Sequence, residues 1–301
     1  GPYDGLGALA STNSVPHLIK SLNDKDLDVR SSAAFTLGDI KDSRALSPLI
    51  AALTDDNKEV RASAARSIGR LKDKRAIIPL GKVLTDKDKY VRLSATSSIG
   101  EIGGQRAVQL LIDQLNDKDP YVRGSAVFYL GHLKDNRAVA PLIAIINDED
   151  KSIKERVISA LGKLQDKRSI NALIQALNSP YVQVRKATIS ALSKLQGLKV
   201  ANAIIGSLQD PDTSIRIHAV GTLGKLNNEK AIEPLIQRLM DDNEKKYVKR
   251  SVVETLKKFN TPRAKEALES PQAKEALKID KDKRSFYSEI QRYIFTFLSW
   301  Q

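Results

Sequence analysis

The sequence predicts an all-α chain built as a solenoid of helix–turn–helix repeats. Three observations carry this. The first is a fixed period: steps of 31 residues from Arg30 give Arg61, Arg92, Arg123, Lys154, Arg185 and Arg216, and a step of 33 then gives Lys249. Each is preceded by Val or Ile and followed seven positions later by Leu or Ile, from Leu37 to Leu256. Self-similarity at such a period marks a stacked array, which has no single central core. The second is composition, since aromatics make up only 5% of the chain and Ala, Leu, Ile and Val dominate the apolar residues, as closely packed small helices require. The third is local spacing: apolar residues such as Leu46, Leu49, Ile50 and Leu53 recur with helical rather than alternating periodicity.

In chain order, Leu6-Gly7-Ala8-Leu9 lies 31 residues before Leu37-Gly38-Asp39-Ile40, so residues 3–13 read as the end of a preceding repeat. That stretch is either a degenerate N-terminal cap or the cut edge of a longer solenoid. Gly1-Pro2 has the form of a tag-removal scar. Residues 14–260 are expected to hold the array. Its first helices fall at Val15–Leu22, Ala45–Leu53, Ala76–Leu84, Ala107–Leu115, Ala138–Ile146, Ile170–Leu177, Val200–Leu208 and Ala231–Leu239. Pro48, Pro79, Pro141 and Pro234 recur near their starts, where a missing N–H is harmless. Asp42, Asp73, Asp135 and Asp166 stand where N-caps are needed.

Acidic turns such as NDKD, TDDN and QDPD then lead into each second helix and are expected to cap it. Ser179-Pro180-Tyr181 departs from that pattern, and two extra residues lengthen Asp241–Tyr247. Residues 261–301 form a separate tail. Ser285–Trp300 holds six of the chain's 15 aromatics, and Phe286, Ile290, Tyr293, Phe297 and Trp300 share one helical face. That helix is expected either to cap the last repeat or to dock on a partner or membrane surface.

The absence of cysteine excludes disulfides and thiolate metal sites. No apolar run reaches the length of a membrane span and no secretory signal is visible, so a cytoplasmic protein is the default expectation. The net charge of +13 is unevenly placed: residues 1–150 carry +1, residues 151–260 carry +10 and the remainder +2. Such a bias bears on partners rather than on fold.

The repeated arginine lies on the apolar arc of its helix, together with the residue before it and those at +3, +4, +7 and +10. A guanidinium on the buried side needs acceptors. The acidic turn six residues earlier offers them in the same or the neighbouring repeat, giving a structural ladder of Asp24, Arg30, Asp55, Arg61, Asp86, Arg92, Asp117, Arg123, Arg185, Asp210 and Arg216. The exposed arc holds +1, +2, +5 and +9, where residue type varies from repeat to repeat. Position +9 runs Asp39, Arg70, Glu101, His132, Lys163, Lys194, Lys225, Lys258. Position +5 carries Phe35, Arg66 and Phe128, and position +2 is Ser in four repeats and then Arg156. The candidate partner-binding residues are therefore Phe35, Arg66, Arg70, Phe128, His132, Arg156, Lys163, Lys194, Lys225 and Lys258.

The Asp…Val-Arg…Ala…Leu-Gly second helix, joined to an Arg-Ala…Pro-Leu-Ile first helix, resembles the short HEAT-like repeats of the phycobilin lyase type over residues 4–260. The resemblance implies a right-handed α-α superhelix whose second helices line the concave side and whose Asp–Arg pairs form a stacking ladder. It implies little about activity, because such arrays serve unrelated systems. His17, His132 and His218 sit in different repeats without metal-ligand spacing, and no His-Glu pair matches the di-iron hydroxylases built on HEAT repeats. Nucleotide-binding glycine motifs are absent, Gly100-x-x-Gly103-Gly104 reads as a helix end, and the DKD turns lack the glycine and distal Glu of a calcium loop. No enzyme, metal or cofactor is implied. The expected role is a scaffold for an acidic protein partner. The alternatives are nucleic-acid binding through Lys163, Lys194, Lys225 and Lys258, and an accessory subunit of a bilin lyase-like complex.

Overall fold

The computed structural model describes residues 12–278, and every regular element among them is helical. They form two compact units, divided between Leu195 and Gln196. The first unit stacks six helix pairs. These are α1 (Val15–Ser21) with α2 (Leu27–Ile40), α3 (Leu46–Ala52) with α4 (Lys58–Leu71), and α5 (Ile77–Lys82) with α6 (Lys89–Ile102). They continue as α7 (Gln105–Gln114) with α8 (Pro120–Leu133), α9 (Val139–Ala144) with α10 (Lys151–Leu164), and α11 (Ile170–Ala176) with α12 (Val182–Leu192). The second unit holds α13 (Leu198–Gly206), α14 (Thr213–Leu226), α15 (Ile232–Met240), α16 (Lys246–Leu256), α17 (Pro262–Leu268) and α18 (Pro271–Leu277). Most of residues 3–13 and the whole aromatic stretch 285–300 lie outside the described residues. No helix among the described residues is long and apolar enough to cross a membrane.

The acidic turns cap the second helices as their spacing predicts. Asp26, Asn57, Asp88, Asp119, Asp150 and Asp212 each accept a hydrogen bond from the amide two residues on, satisfying a donor that the helix cannot. Tyr181 and Lys245, where the sequence leaves the pattern, begin α12 and α16 without a side-chain cap. Asp42, Asp73, Asp135, Asp166 and Asn228 cap a short 3-10 turn before the following first helix, so α3, α5, α9 and α15 start one residue later than expected, whereas α1 and α11 start at the expected residue and α7 and α13 two residues earlier. Five of the second helices end on a left-handed residue, Lys41, Lys72, Lys134, Gln165 and Asn227, with φ between 49 and 57°, whereas α12 and α16 end on Ser193 and Lys257 in the right-handed region. Gly103 takes that place after α6, with φ 71°. Non-glycine residues adopt this conformation at a cost, so closure of each repeat is imposed by the packing around it.

Between repeats the second helices approach closely over small residues. A Cβ on Gly38 would collide with Ser67, one on Gly69 with Ser98, and one on Gly162 with Ala191. Around these seams Leu37, Ile68, Ile99, Leu130, Leu161 and their first-helix partners Leu49, Leu80, Leu111 and Leu142 are fully buried. The periodic Leu and Ile are thus the core of a stack in which each pair covers the apolar face of its neighbour.

Candidate functional site

The repeated arginine reaches both repeats. Arg61 donates from Nη1 to the Asp55 carbonyl of its own turn at 2.9 Å, and from Nε and Nη2 to the Asp86 carboxylate of the next repeat at 2.8 and 3.1 Å. Arg30 does the same with the Asp24 carbonyl and Asp55, Arg92 with the Asp86 carbonyl and Asp117, and Arg123 with the Asp117 carbonyl and Asp148. Arg92 is only 4% exposed. Each carboxylate also accepts the amide two residues on in its own turn, as Asp86 does from Asp88 at 2.9 Å. The hydrogen bonds it donates to the Asp86 carboxylate raise the Arg61 guanidinium above its ordinary value. Burial pushes the Asp86 carboxyl up, but the Arg61 hydrogen bond and the Asp88 amide together hold it below the usual carboxylate range. Two members were not in the sequence-derived set. Asp148 takes the carboxylate place opposite Arg123, and in the second unit Glu244 receives Arg216 at 2.8 and 2.9 Å while Arg216 Nη1 donates to the Asp210 carbonyl. The two extra residues before Tyr247 let a longer side chain fill that place.

A second tie runs along the first helices. Asp42, Asp135 and Asp166 pair with the arginine two residues on, and Arg44, Arg137 and Arg168 then donate to carbonyls of Thr12, Gln105 and Asn136 one repeat back at 2.8, 3.2 and 3.0 Å. Hydrogen bonds from Arg44 and Arg168 hold Asp42 and Asp166 down at about 2. The Asp-x-Arg spacing is visible in the sequence as a signal for this tie.

On the exposed arc of the first unit the predicted residues gather into two clusters. The Arg70 guanidinium stacks 4.7 Å from the Phe35 ring and also pairs with Asp39. Phe128 meets the Tyr129 ring edge-on at 5.1 Å and His132 at 4.1 Å, while Lys163 Nζ lies 5.6 Å from the Phe128 ring and 3.3 Å from His132 Nε2. Phe35 and Phe128 remain 44% and 45% exposed. Arg70 and Lys163 are thus engaged within the chain rather than free for a partner. Lys194 is exposed in the first unit, and Lys225 and Lys258 are exposed in the second.

A groove of about 570 Å³ crosses the second helices of the first unit from α4 to α10. Arg66 and Arg156 lie at its two ends. Ser94, Ser97, Ser125 and Ser152 supply hydroxyls, and Tyr121, Phe128 and Tyr129 supply aromatic walls. Tyr129 sits where the neighbouring repeats carry Ser67, Ser98, Ala160 and Ala191. A Cβ on Gly100 would overlap its ring, so the tyrosine wedges directly over the backbone of α6. Its hydroxyl reaches Glu101 at 3.4 Å, and burial raises its ionisation above the ordinary tyrosine value. Sequence reasoning missed Tyr121 and Tyr129, although a tyrosine in a column of Ser, Thr and Ala is itself a signal.

A family model for HEAT repeats matches residues 3–66, 46–118, 108–193 and 200–276. Curated protein sequences give no match. Among solved structures, an engineered protein is similar at 19% identity and TM-score 0.52, covering 88% of this chain and 87% of its own. The YibA protein of Escherichia coli is similar at 19% identity and TM-score 0.50, covering 84% and 99%. The complex of CpcE and CpcF of phycocyanin lyase from Nostoc sp. PCC7120 aligns at 24% identity and TM-score 0.38, covering 87% and 94%. At 19% identity the likeness to the engineered protein and to YibA speaks for the fold alone, an all-α stack of helical repeats. With four matches, the first three overlapping, that span nearly the whole sequence, the chain belongs to the HEAT-repeat family.

Proposed function

We propose that the chain is a non-enzymatic protein-binding scaffold that offers the exposed positions of its second helices to an acidic partner. The observation that carries this reading is a division of labour within each repeat. Core and ladder positions recur almost unchanged, whereas positions +5 and +9 differ between repeats and leave Phe35 and Phe128 at the surface. A fixed scaffold with a varied surface presents a distinct set of contacts at each step, with aromatic residues as anchors. The net +10 over residues 151–260 favours an acidic partner by steering its approach. The residues also support a role without catalysis, because the three histidines are scattered over separate repeats and cysteine is lacking.

Affinity capture from lysate, with and without nuclease and at low and raised salt, tests the proposal. A single protein retained through nuclease and moderate salt is the expected result. Recovery of nucleic acid alone, lost as salt rises, would replace it with phosphate binding through the exposed lysines, since such binding falls steeply with ionic strength.

A further inference from the structure

We propose that the groove between α4 and α10 holds an extended segment of a partner protein carrying two separated acidic side chains, one bound by Arg66 and the other by Arg156. This deepens the protein-binding reading above and rests on it. The two arginines differ from those of the ladder and of the first-helix tie. Arg30, Arg61, Arg92, Arg123, Arg137 and Arg168 are each tied to a carboxylate and a carbonyl. Arg66 and Arg156 are exposed, line the groove, and make no ion pair or hydrogen bond among the described residues. A guanidinium left unpaired in a cleft is a ready bidentate site for a carboxylate.

The ground between them suits a peptide. Ser97 and Ser125 share one hydrogen bond at 2.9 Å across the α6–α8 seam, which leaves one hydroxyl hydrogen and several lone pairs for main-chain amides and carbonyls. Tyr121, 71% exposed, and Phe128 stand beside these serines as apolar contact surfaces. The groove crosses three helix steps, at most about 27 Å at ~9 Å per step. An extended segment at ~3.3 Å per residue spans that distance with about eight residues.

The acids of the groove select against a continuous polyanion. Asp150, at the start of α10, is committed to capping through Ser152 N at 2.8 Å and Ser152 Oγ at 2.6 Å. Glu101, in the last turn of α6, holds only the long contact with Tyr129 among the described residues. A nucleic-acid backbone would set phosphates against both, whereas carboxylates separated by uncharged residues meet the arginines and avoid the acids.

The test is selection of a phage-displayed library of random decapeptides on the full chain, followed by affinity measurement on the full chain and on an R66S/R156S variant. Both arginines are exposed, so the variant is expected to keep the helical signal and melting temperature of the parent. The expected outcome is enrichment of peptides with two Asp or Glu residues separated by apolar or neutral ones. Their affinity should fall about tenfold for each arginine removed. No enrichment overturns the groove assignment, and the affinity capture described above then judges protein binding separately. Enriched peptides that bind the variant as tightly as the parent overturn the groove while leaving protein binding standing. Tighter binding of an oligodeoxythymidine than of any selected peptide overturns both.

Discussion

Two junctions between repeats of the first unit solve the same packing problem differently. At one, Arg123 donates two hydrogen bonds to Asp148, both at 2.9 Å, and the pair is buried. At the next, Lys154 stands in the arginine position and Ser179 in the carboxylate position. Lys154 Nζ instead lies 5.8 Å from the Tyr181 ring, with Lys151 Nζ at 5.3 Å. The stack does not part there: Gly162 of α10 still presses on Ala191 of α12, and Ile158, Leu161, Ile189 and Leu192 remain fully buried. The tie to the repeat's own turn also persists, since Arg185 Nη1 donates to the Ser179 carbonyl at 2.9 Å. Apolar burial and close small-residue contact therefore hold the repeats together. The carboxylate bridge is a coupled pair that can be removed whole, but not by halves.

The largest expected effect breaks the first junction by halves. Asp148→Ala leaves the Arg123 guanidinium buried without its carboxylate and should destabilise the chain by about 3 kcal/mol or more in a denaturant titration. The double change Arg123→Lys with Asp148→Ser copies the second junction and should cost about 1 kcal/mol. Equal losses for the single and double variants would break the comparison. The reverse exchange, Lys154→Arg with Ser179→Asp, should raise stability by about 1 kcal/mol, and a loss would mean that Tyr181 and its lysines contribute more than a buried pair.

Acid should separate the junctions as well. Asp55 and Asp86 are held below the usual carboxylate range: burial works against this, but the hydrogen bonds from Arg30 and Arg61 prevail. A depressed folded value means the folded chain binds fewer protons. The stability these groups provide is therefore complete above the unfolded value near pH 4 and is lost as pH falls through the folded value. Thermal melts between pH 5 and 2 should fall mainly below about pH 4. Asp86→Asn should lower the melting temperature at neutral pH yet narrow the difference between neutral and acid. An unchanged difference would show that the ladder carboxylates do not set the acid limit. The smallest effect concerns closure of the repeats. Lys72→Gly at φ 53° should stabilise by about 0.5–1 kcal/mol, and a neutral result would mean that the lysine side chain offsets the left-handed strain.

Much of this was legible in the sequence for identifiable reasons. The acidic turns announced the caps because an Asp or Asn oxygen reaches an amide two residues on by local geometry alone, as at Asp119 and Tyr121. The arginine was legible as a buried-side group needing acceptors. Its division between a carbonyl of its own turn and a carboxylate of the next repeat was not, because that choice depends on how far one pair is shifted along the next. Glu244 was missed for the same reason: a two-residue insertion changes which side chain arrives at the place. The exposed arc placed Phe35, Arg66, Phe128 and Arg156 correctly at the surface, but not which of them would be covered. Arg70 on Phe35, and Lys163 on Phe128, come from the following repeat.

By itself the sequence determined the repeat, the helices, their caps and the core positions, since each rests on contacts within a few residues or on a pattern that every repeat restates. Only the tertiary structure decided which side chains from different repeats meet, and so where the surface is tied down and where it is open. Tyr129 illustrates the boundary. As a letter it is one large residue in a column of small ones; stacked over Gly100, it becomes a wall of the groove that Arg66 and Arg156 also line. The physical reason is that backbone geometry is set by near neighbours, whereas the register between helices some thirty residues apart is set by close packing of whole faces.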